Sequence, residues 1–183
     1  KKNRLYEDQL NHLRKYKVTF QNQLSICFPG YLDLFKDGYS DIPMTILKKY
    51  PHPDLLKNKK AETVARYLEK NTCHTHKVSL EYALKIIEFA KKTYPGCEKD
   101  DVEVEIFKIL LDKVIETQRE CEKTLNEMIT VASTLEEYRY ISSIDGIGPN
   151  LAARIIAEIG DIEEFKSREA LVAYAGLDPH IYQ

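Results

Sequence analysis

Glycine and proline are scarce, seven of each in 183 residues, which excludes collagen-like and linker-like chains. Long apolar runs are missing as well. Runs such as Ile109-Leu110-Leu111 fall far short of the ~20 residues that a membrane-spanning helix needs. Nor is there an excess of one charge: 27 Lys+Arg face 29 Asp+Glu, and a net charge of −2 gives the whole chain no pull toward nucleic acid or an anionic membrane. Any such attraction has to be local. The four cysteines, Cys27, Cys73, Cys97 and Cys121, lack a motif-like spacing and fit reduced thiols better than a disulfide framework. Lys1-Lys2-Asn3-Arg4 runs into Leu5-Tyr6-Glu7-Asp8 rather than an apolar stretch, so it is no signal peptide, and a cytoplasmic chain without membrane contact is expected. An initiator Met and a terminating element after Tyr182-Gln183 are both missing, which suggests an excerpt from a longer protein. What is present is a 43% hydrophobic composition with 12 Tyr and 6 Phe, enough aromatic surface to build one or two folded domains.

The apolar periodicity is helical throughout, and an all-α fold is expected. Tyr6, Leu10, Leu13, Phe20, Leu24 and Cys27 recur at helical spacing, with Lys17 in the one polar slot, and predict a helix over 4–27 that ends at Phe28-Pro29-Gly30. Asp37-Gly38, Pro43 and Pro51-His52-Pro53 cut 31–93 into short helices, the firmest over 60–70 and 79–93. After Pro95-Gly96, Phe107, Val114, Cys121, Met128 and Leu135 repeat every seven residues, flanked by Leu111, Leu125 and Ala132, with Gln118 interrupting the second row. That pattern predicts one coiled-coil-like helix from Asp101 to Tyr138, roughly 57 Å long. Its seam needs a partner, either the 4–27 helix of the same chain or a second copy in a homo-oligomer. The boundaries that follow are 1–97, 98–140 and 141–183.

Charge is shared unevenly between these parts. Residues 48–77 carry eight Lys+Arg against three Asp+Glu, 98–140 carry six against twelve, and 141–183 carry three against seven. A basic run is usually a solvated surface, yet Lys57, Lys59, Lys60, Arg66 and Lys70 could also lie along a phosphate backbone.

The stretch 141–160 reads as helix, tight turn, helix. Gly146 and Gly148 bracket Ile147, Pro149 can open a helix, and Ala152, Ile155, Ile156 and Ile159 form its buried face. This is a helix-hairpin-helix pattern, in which glycines let the backbone approach a phosphate and free N–H groups point at the anion, with Asn150 and Arg154 as polar help. The bland alternative is a Gly-Ile-Gly turn that only packs two helices, and the seven acids after residue 140 work in its favour. Asp161 with Glu164 resembles a capping box, Ser167 can cap the helix holding Ala170, Leu171, Ala173 and Tyr174, Gly176 closes it, and Pro179 follows.

Other groups carry less. Cys73-His74-Thr75-His76 gathers three zinc-type ligands with no second pair at finger spacing. His12, His52 and His180 are isolated, and Tyr31, Tyr39, Tyr50, Tyr67, Tyr82 and Tyr94 fit core positions better than base stacking. No Gly-rich nucleotide loop and no nucleophile elbow occurs.

Ser143-Ile-Asp-Gly-Ile-Gly-Pro-Asn-Leu-Ala152, Ala157-Glu-Ile-Gly-Asp-Ile162, Phe165-Lys-Ser167 and Ala173-Tyr-Ala-Gly-Leu-Asp-Pro179 together resemble the opening of the transposase domain in DEDD-type insertion-sequence transposases. These proteins join a RuvC-like nuclease domain to that domain through a helical region, and Asn22-Gln-Leu24 with Phe28-Pro-Gly30 is similar to the helix after the nuclease domain. The resemblance implies a helical linker over 1–97, a long helix, and a truncated transposase domain from 141. It implies a DNA recombinase that moves a mobile element in the bacterial cytosol, directed in some members by a structured RNA. The family's metal-binding carboxylates would lie upstream of residue 1 and its nucleophilic serine just beyond Gln183. No catalytic residue, metal site or cofactor is therefore expected in this chain, and a divalent metal is expected for the nuclease domain. The expected nucleic-acid-binding residues are Gly146, Ile147, Gly148, Asn150, Arg154, Lys57, Lys59, Lys60 and Arg66. A non-catalytic coiled-coil and helix-hairpin-helix module for protein packing is the other reading.

Overall fold

The computed structural model describes residues 2–176; Leu177, Asp178, Pro179 and His180 lie outside the described residues, as do the final three. The described residues form an all-α fold without a strand: α1 (Lys2–Cys27), α2 (Asp41–Lys49), α3 (Ala61–Asn71), α4 (His76–Lys92), α5 (Val102–Ala132), α6 (Glu136–Ser142), α7 (Pro149–Ile159) and α8 (Arg168–Tyr174), with short 3-10 turns at Tyr31–Leu34, Pro53–Leu55 and Ile162–Glu164. The chain divides into two compact units, Gln9–Cys121 and Lys1–Asp8 with Glu122–Gln183.

In the unit Gln9–Cys121 the heptad residue Phe107 of α5 meets the apolar face of α1. Phe20 stacks on Phe107 with ring centroids 5.3 Å apart, and both rings are fully buried. Val114 and Leu111 are buried on the same stripe. Each such side chain contributes about 1.5–3 kcal/mol on leaving water. The seam thus finds cover within one chain, the first of the two partners considered. α3 and α4 pack on each other through Val64, Ala65 and Leu68 on one side and Ala83, Ile86, Ile87 and Ala90 on the other, all buried. Two polar groups are sealed into this core with their partners. The Tyr31 hydroxyl donates to the Pro43 carbonyl at 3.0 Å. Buried His52 accepts at Nδ1 from the Asp54 N–H at 3.3 Å, so its proton sits on Nε2, which donates to the Cys97 carbonyl at 3.0 Å.

The predicted single helix from Asp101 to Tyr138 is not what forms. α5 stops at Ala132, about 46 Å from its start at the usual rise for its 31 residues, and Leu135 becomes the N-cap of α6, 41% exposed instead of buried in the seam. The cause is local chemistry. Ser133 Oγ donates to the Thr130 carbonyl at 2.9 Å and Thr134 Oγ1 to the Val131 carbonyl at 2.8 Å, so two hydroxyls satisfy terminal carbonyls that a continuing helix would have used. Glu136 and Glu137 then favour a new N-terminus by matching the helix dipole.

In the other unit α6 and α7 pack together, joined by the turn 143–148. Met128 and Ala132 at the end of α5 are buried there, as are Ala152 and Ala153 on α7. Ile155, Ile156 and Ile159, expected on the buried face of α7, are half-buried. The two expected caps form: Asp161 accepts from the Glu163 N–H at 2.9 Å, and Ser167 Oγ accepts from the Ala170 N–H at 3.3 Å. Asp161 bonds Glu163 rather than pairing with Glu164 as a reciprocal box. Gly176, with φ 71°, ends α8 in the left-handed conformation that glycine adopts without strain.

Candidate nucleic-acid interface

The turn between α6 and α7 is built from exposed backbone. Gly146 has φ 88°, a left-handed conformation that a side chain would strain, so glycine is needed there for the turn itself. Gly148 is a different case. Its φ of −78° and ψ of 170° suit any residue, and a Cβ added to it would meet nothing within 4 Å. Neither the backbone nor the packing of the protein requires a glycine at this position.

Gly148 is also the N-cap of α7, and it offers no side-chain acceptor. The Ala152 N–H turns back to the Gly148 carbonyl at 3.0 Å, and Pro149 has no N–H, which leaves those of Asn150 and Leu151 without an acceptor inside the helix. Both residues are exposed. The start of α7 therefore presents two backbone donors and the positive end of a helix dipole over a surface without side chains at Gly146 and Gly148. Ile147 between them is half-buried and anchors the turn, while its N–H bonds the Ile144 carbonyl at 3.0 Å.

Arg154 does not stand beside this surface as a free cation. Its Nη2 donates to Glu7 Oε1, and its guanidinium lies 5.6 Å from the centre of the Tyr6 ring. One turn later on α7, Glu158 accepts from Asn3 Nδ2 at 2.8 Å, and its backbone carbonyl accepts from the Tyr174 hydroxyl at 3.2 Å. Lys2 pairs with Glu127 at 2.8 Å and holds that carboxyl below its usual range through the hydrogen bond. The first two turns of α1 are thus tied to the middle and end of α7 by polar contacts between residues about 150 positions apart in sequence. No local pattern announces Asn3, Tyr6 or Glu7 as partners of α7; helical periodicity assigns Tyr6 only to an apolar face.

The basic residues of the middle segment belong to the unit Gln9–Cys121, and the α6–α7 turn belongs to the other. The basic residues are not equivalent. Lys57 Nζ donates to Asp54 at 2.6 Å, and that hydrogen bond holds the Asp54 carboxyl below its ordinary range. Arg66 pairs with Glu62 at 3.0 Å one turn back on α3. Lys59 and Lys60 are exposed and, among the described residues, form no ion pair. Lys60 is moreover the N-cap of α3, where the helix dipole disfavours a cation, so its charge is not there to stabilise the helix. No local sequence pattern marks a neighbouring trio: Lys49 lies 4.2 Å over the Tyr67 ring and 5.5 Å from that of Tyr50.

The histidines of the zinc-type cluster each turn to carboxylates. His74 Nε2 lies 3.2 Å from Asp41, and His76 lies 3.2 Å from Glu69 and 3.5 Å from Glu62. Among the described residues no three His, Cys, Asp or Glu side chains gather around a space fit for a metal ion. No helix among them is long and apolar enough to cross a membrane. An apolar groove of about 400 Å³ runs along α6 and α7, lined by Leu135, Ile141, Ile156, Ile159 and Ile162.

Residues 138–183 match the model of the Transposase IS116/IS110/IS902 family. The matched part starts in α6 and includes the α6–α7 turn, and it supports reading this piece as a fragment of an insertion-sequence transposase, the resemblance that Ser143–Ala152 and the segments after it carry. The match covers about a quarter of the chain. No curated protein and no solved structure matches the sequence.

Proposed function

We propose that this chain is a nucleic-acid-contacting part of an insertion-sequence transposase that carries no catalytic residue of its own, and that the bare start of α7 holds a sugar-phosphate backbone. The observation that carries the proposal is Gly148, a glycine that the fold does not need, at an uncapped helix start with open space around it. A backbone that must come within hydrogen-bond distance of a phosphate does need it. Such contacts position a duplex or a structured RNA without reading bases. Lys59 and Lys60 supply a second, longer-range attraction. The metal-dependent chemistry of such a transposase belongs to carboxylates outside this chain, and its place of work is the bacterial cytosol. Self-association through α5 would use the side opposite the buried seam, where Val102, Ile106 and Ile109 are exposed.

The test is Gly148→Asp, measured for stability and for binding to duplex DNA and to structured RNA at low salt. Aspartate at an N-cap stabilises a helix slightly relative to glycine. The variant should therefore keep or gain a few tenths of a kcal/mol in stability while its affinity falls about tenfold or more, because a carboxylate occupies the phosphate position. Unchanged affinity in a folded variant would refute the α7 site. In that event the second reading gains, that of a protein-packing module, which the groove lined by Ile141, Ile156 and Ile159 favours.

A further inference from the structure

The last turn of α1 and the segment between α4 and α5 run side by side, joined by the Gly96 N–H, which donates to the Ile26 carbonyl at 2.8 Å. One residue further in each, Cys27 and Cys97 bring their Sγ atoms to 3.9 Å. Both neighbourhoods are fixed by other bonds. The Cys27 thiol donates to the Glu103 backbone carbonyl at 3.5 Å, Gln23 Nε2 donates to the same carbonyl at 3.0 Å, and His52 Nε2 grips the Cys97 carbonyl. We propose that Cys27 and Cys97 form a dithiol site, which a small disulfide of the glutathione class converts into an intramolecular disulfide joining the end of α1 to the segment before α5.

The two sulfurs are unequal in a way that sets the order of events. Cys27 is fully buried, whereas Cys97 is partly exposed. Burial pushes the Cys27 thiol up to about 12, with Cys97 beside it adding to the rise. Burial raises Cys97 too, and Asp101, Glu103 and Glu98 add to that. Both thiols are therefore protonated and slow to react near neutral pH. Cys97, which a reagent can reach, gives its proton to solvent and attacks one sulfur of the small disulfide. That S–S bond breaks, one small thiolate leaves, and it takes up a proton. The Cys27 sulfur, losing its own proton, then attacks Cys97 Sγ in the mixed disulfide and expels the second small thiol. Two protein thiols and one disulfide become one protein disulfide and two small thiols, and two electrons pass from the protein sulfurs to the reagent.

The distance supports this closure. A disulfide bond is about 2.05 Å long, and side-chain rotation can cover the remaining gap because the Gly96–Ile26 hydrogen bond already holds the two backbones together. A metal is the other use of paired thiols, and among the described residues no third ligand joins them. The ring closed by the bond would tie residues 70 apart in sequence, a long loop in which a cross-link constrains the unfolded chain strongly.

The experiment uses the full chain carrying Cys73→Ser, which removes the exposed thiol. It is incubated with glutathione disulfide at pH 8, blocked with iodoacetamide, digested and read by mass spectrometry. The expected product is a Cys27–Cys97 linked peptide with Cys121 still alkylated, and a Tm raised by on the order of 5–10 °C that dithiothreitol returns to its starting value. The same chain with Cys97→Ser in addition should give neither the link nor the rise. A glutathione adduct on Cys97 that persists as the end product, full alkylation of both thiols after incubation, or a link from Cys97 to Cys121 would each overturn the proposal.

Discussion

Asp54 and Lys57 show how a single pair works at the residue scale. The hydrogen bond from Lys57 favours the charged carboxylate, so Asp54 titrates below its unfolded value and the folded chain binds fewer protons there. The pair's contribution to stability is therefore complete above about pH 4 and disappears as the pH falls through the lowered folded-state value. An NMR titration of Asp54 should give a midpoint below the usual carboxylate range, and Lys57→Ala should move it back up. A midpoint that Lys57→Ala leaves unchanged would assign the shift to another charge. The same pairing also separates the basic residues by use, since Lys57 and Arg66 are occupied while Lys59 and Lys60 are not, a distinction that a count of charges along the sequence does not make.

At the scale of elements, α5 decides most. Its seven-residue repeat is legible in the sequence because Phe107, Val114, Cys121 and Met128 must all face one way on a helix, and all four are buried. Its end is harder to read. Ser133 and Thr134 fit the heptad pattern as well as other polar residues do, and the helix ends where their hydroxyls turn back onto the Thr130 and Val131 carbonyls. The pair Ser-Thr ahead of Glu136-Glu137 is the signal that could have located the break. Since the seam is covered within the chain, Val114→Lys should unfold the protein, at a cost above about 4 kcal/mol for an unpaired buried charge, and not yield a folded monomer from an oligomer. Circular dichroism with urea denaturation, beside ultracentrifugation, checks this. A folded variant of reduced mass would show that the seam pairs two copies.

For the molecule as a whole, near-neutral charge hides an uneven distribution, and the salt dependence of binding reveals it. Each lysine in contact with a phosphate steepens the fall of log affinity with log salt by about one. Lys59→Ala with Lys60→Ala should therefore lower the slope by about two. Arg66→Ala should change it less, because that guanidinium already answers Glu62. Equal slopes for the parent and the double variant, measured on duplex DNA and on structured RNA, would remove the basic segment from the interface. Gly148→Asp probes the α7 start separately, so the two contributions can be assigned independently of each other.

The sequence by itself determined the helical class, the end of α1 ahead of Phe28-Pro29-Gly30 and the caps at Asp161 and Ser167, because periodicity, proline, glycine and short polar side chains act within a few residues of one another. It also showed the transposase-like stretch and the glycines of the α6–α7 turn. Only the tertiary structure decided that Arg154 answers Glu7 and Tyr6, that His52 holds the Cys97 carbonyl, and that Cys27 meets Cys97. Those pairings join residues dozens to about 150 positions apart. Nothing in the local chemistry of either partner specifies the other; the packing of whole helices brings them together.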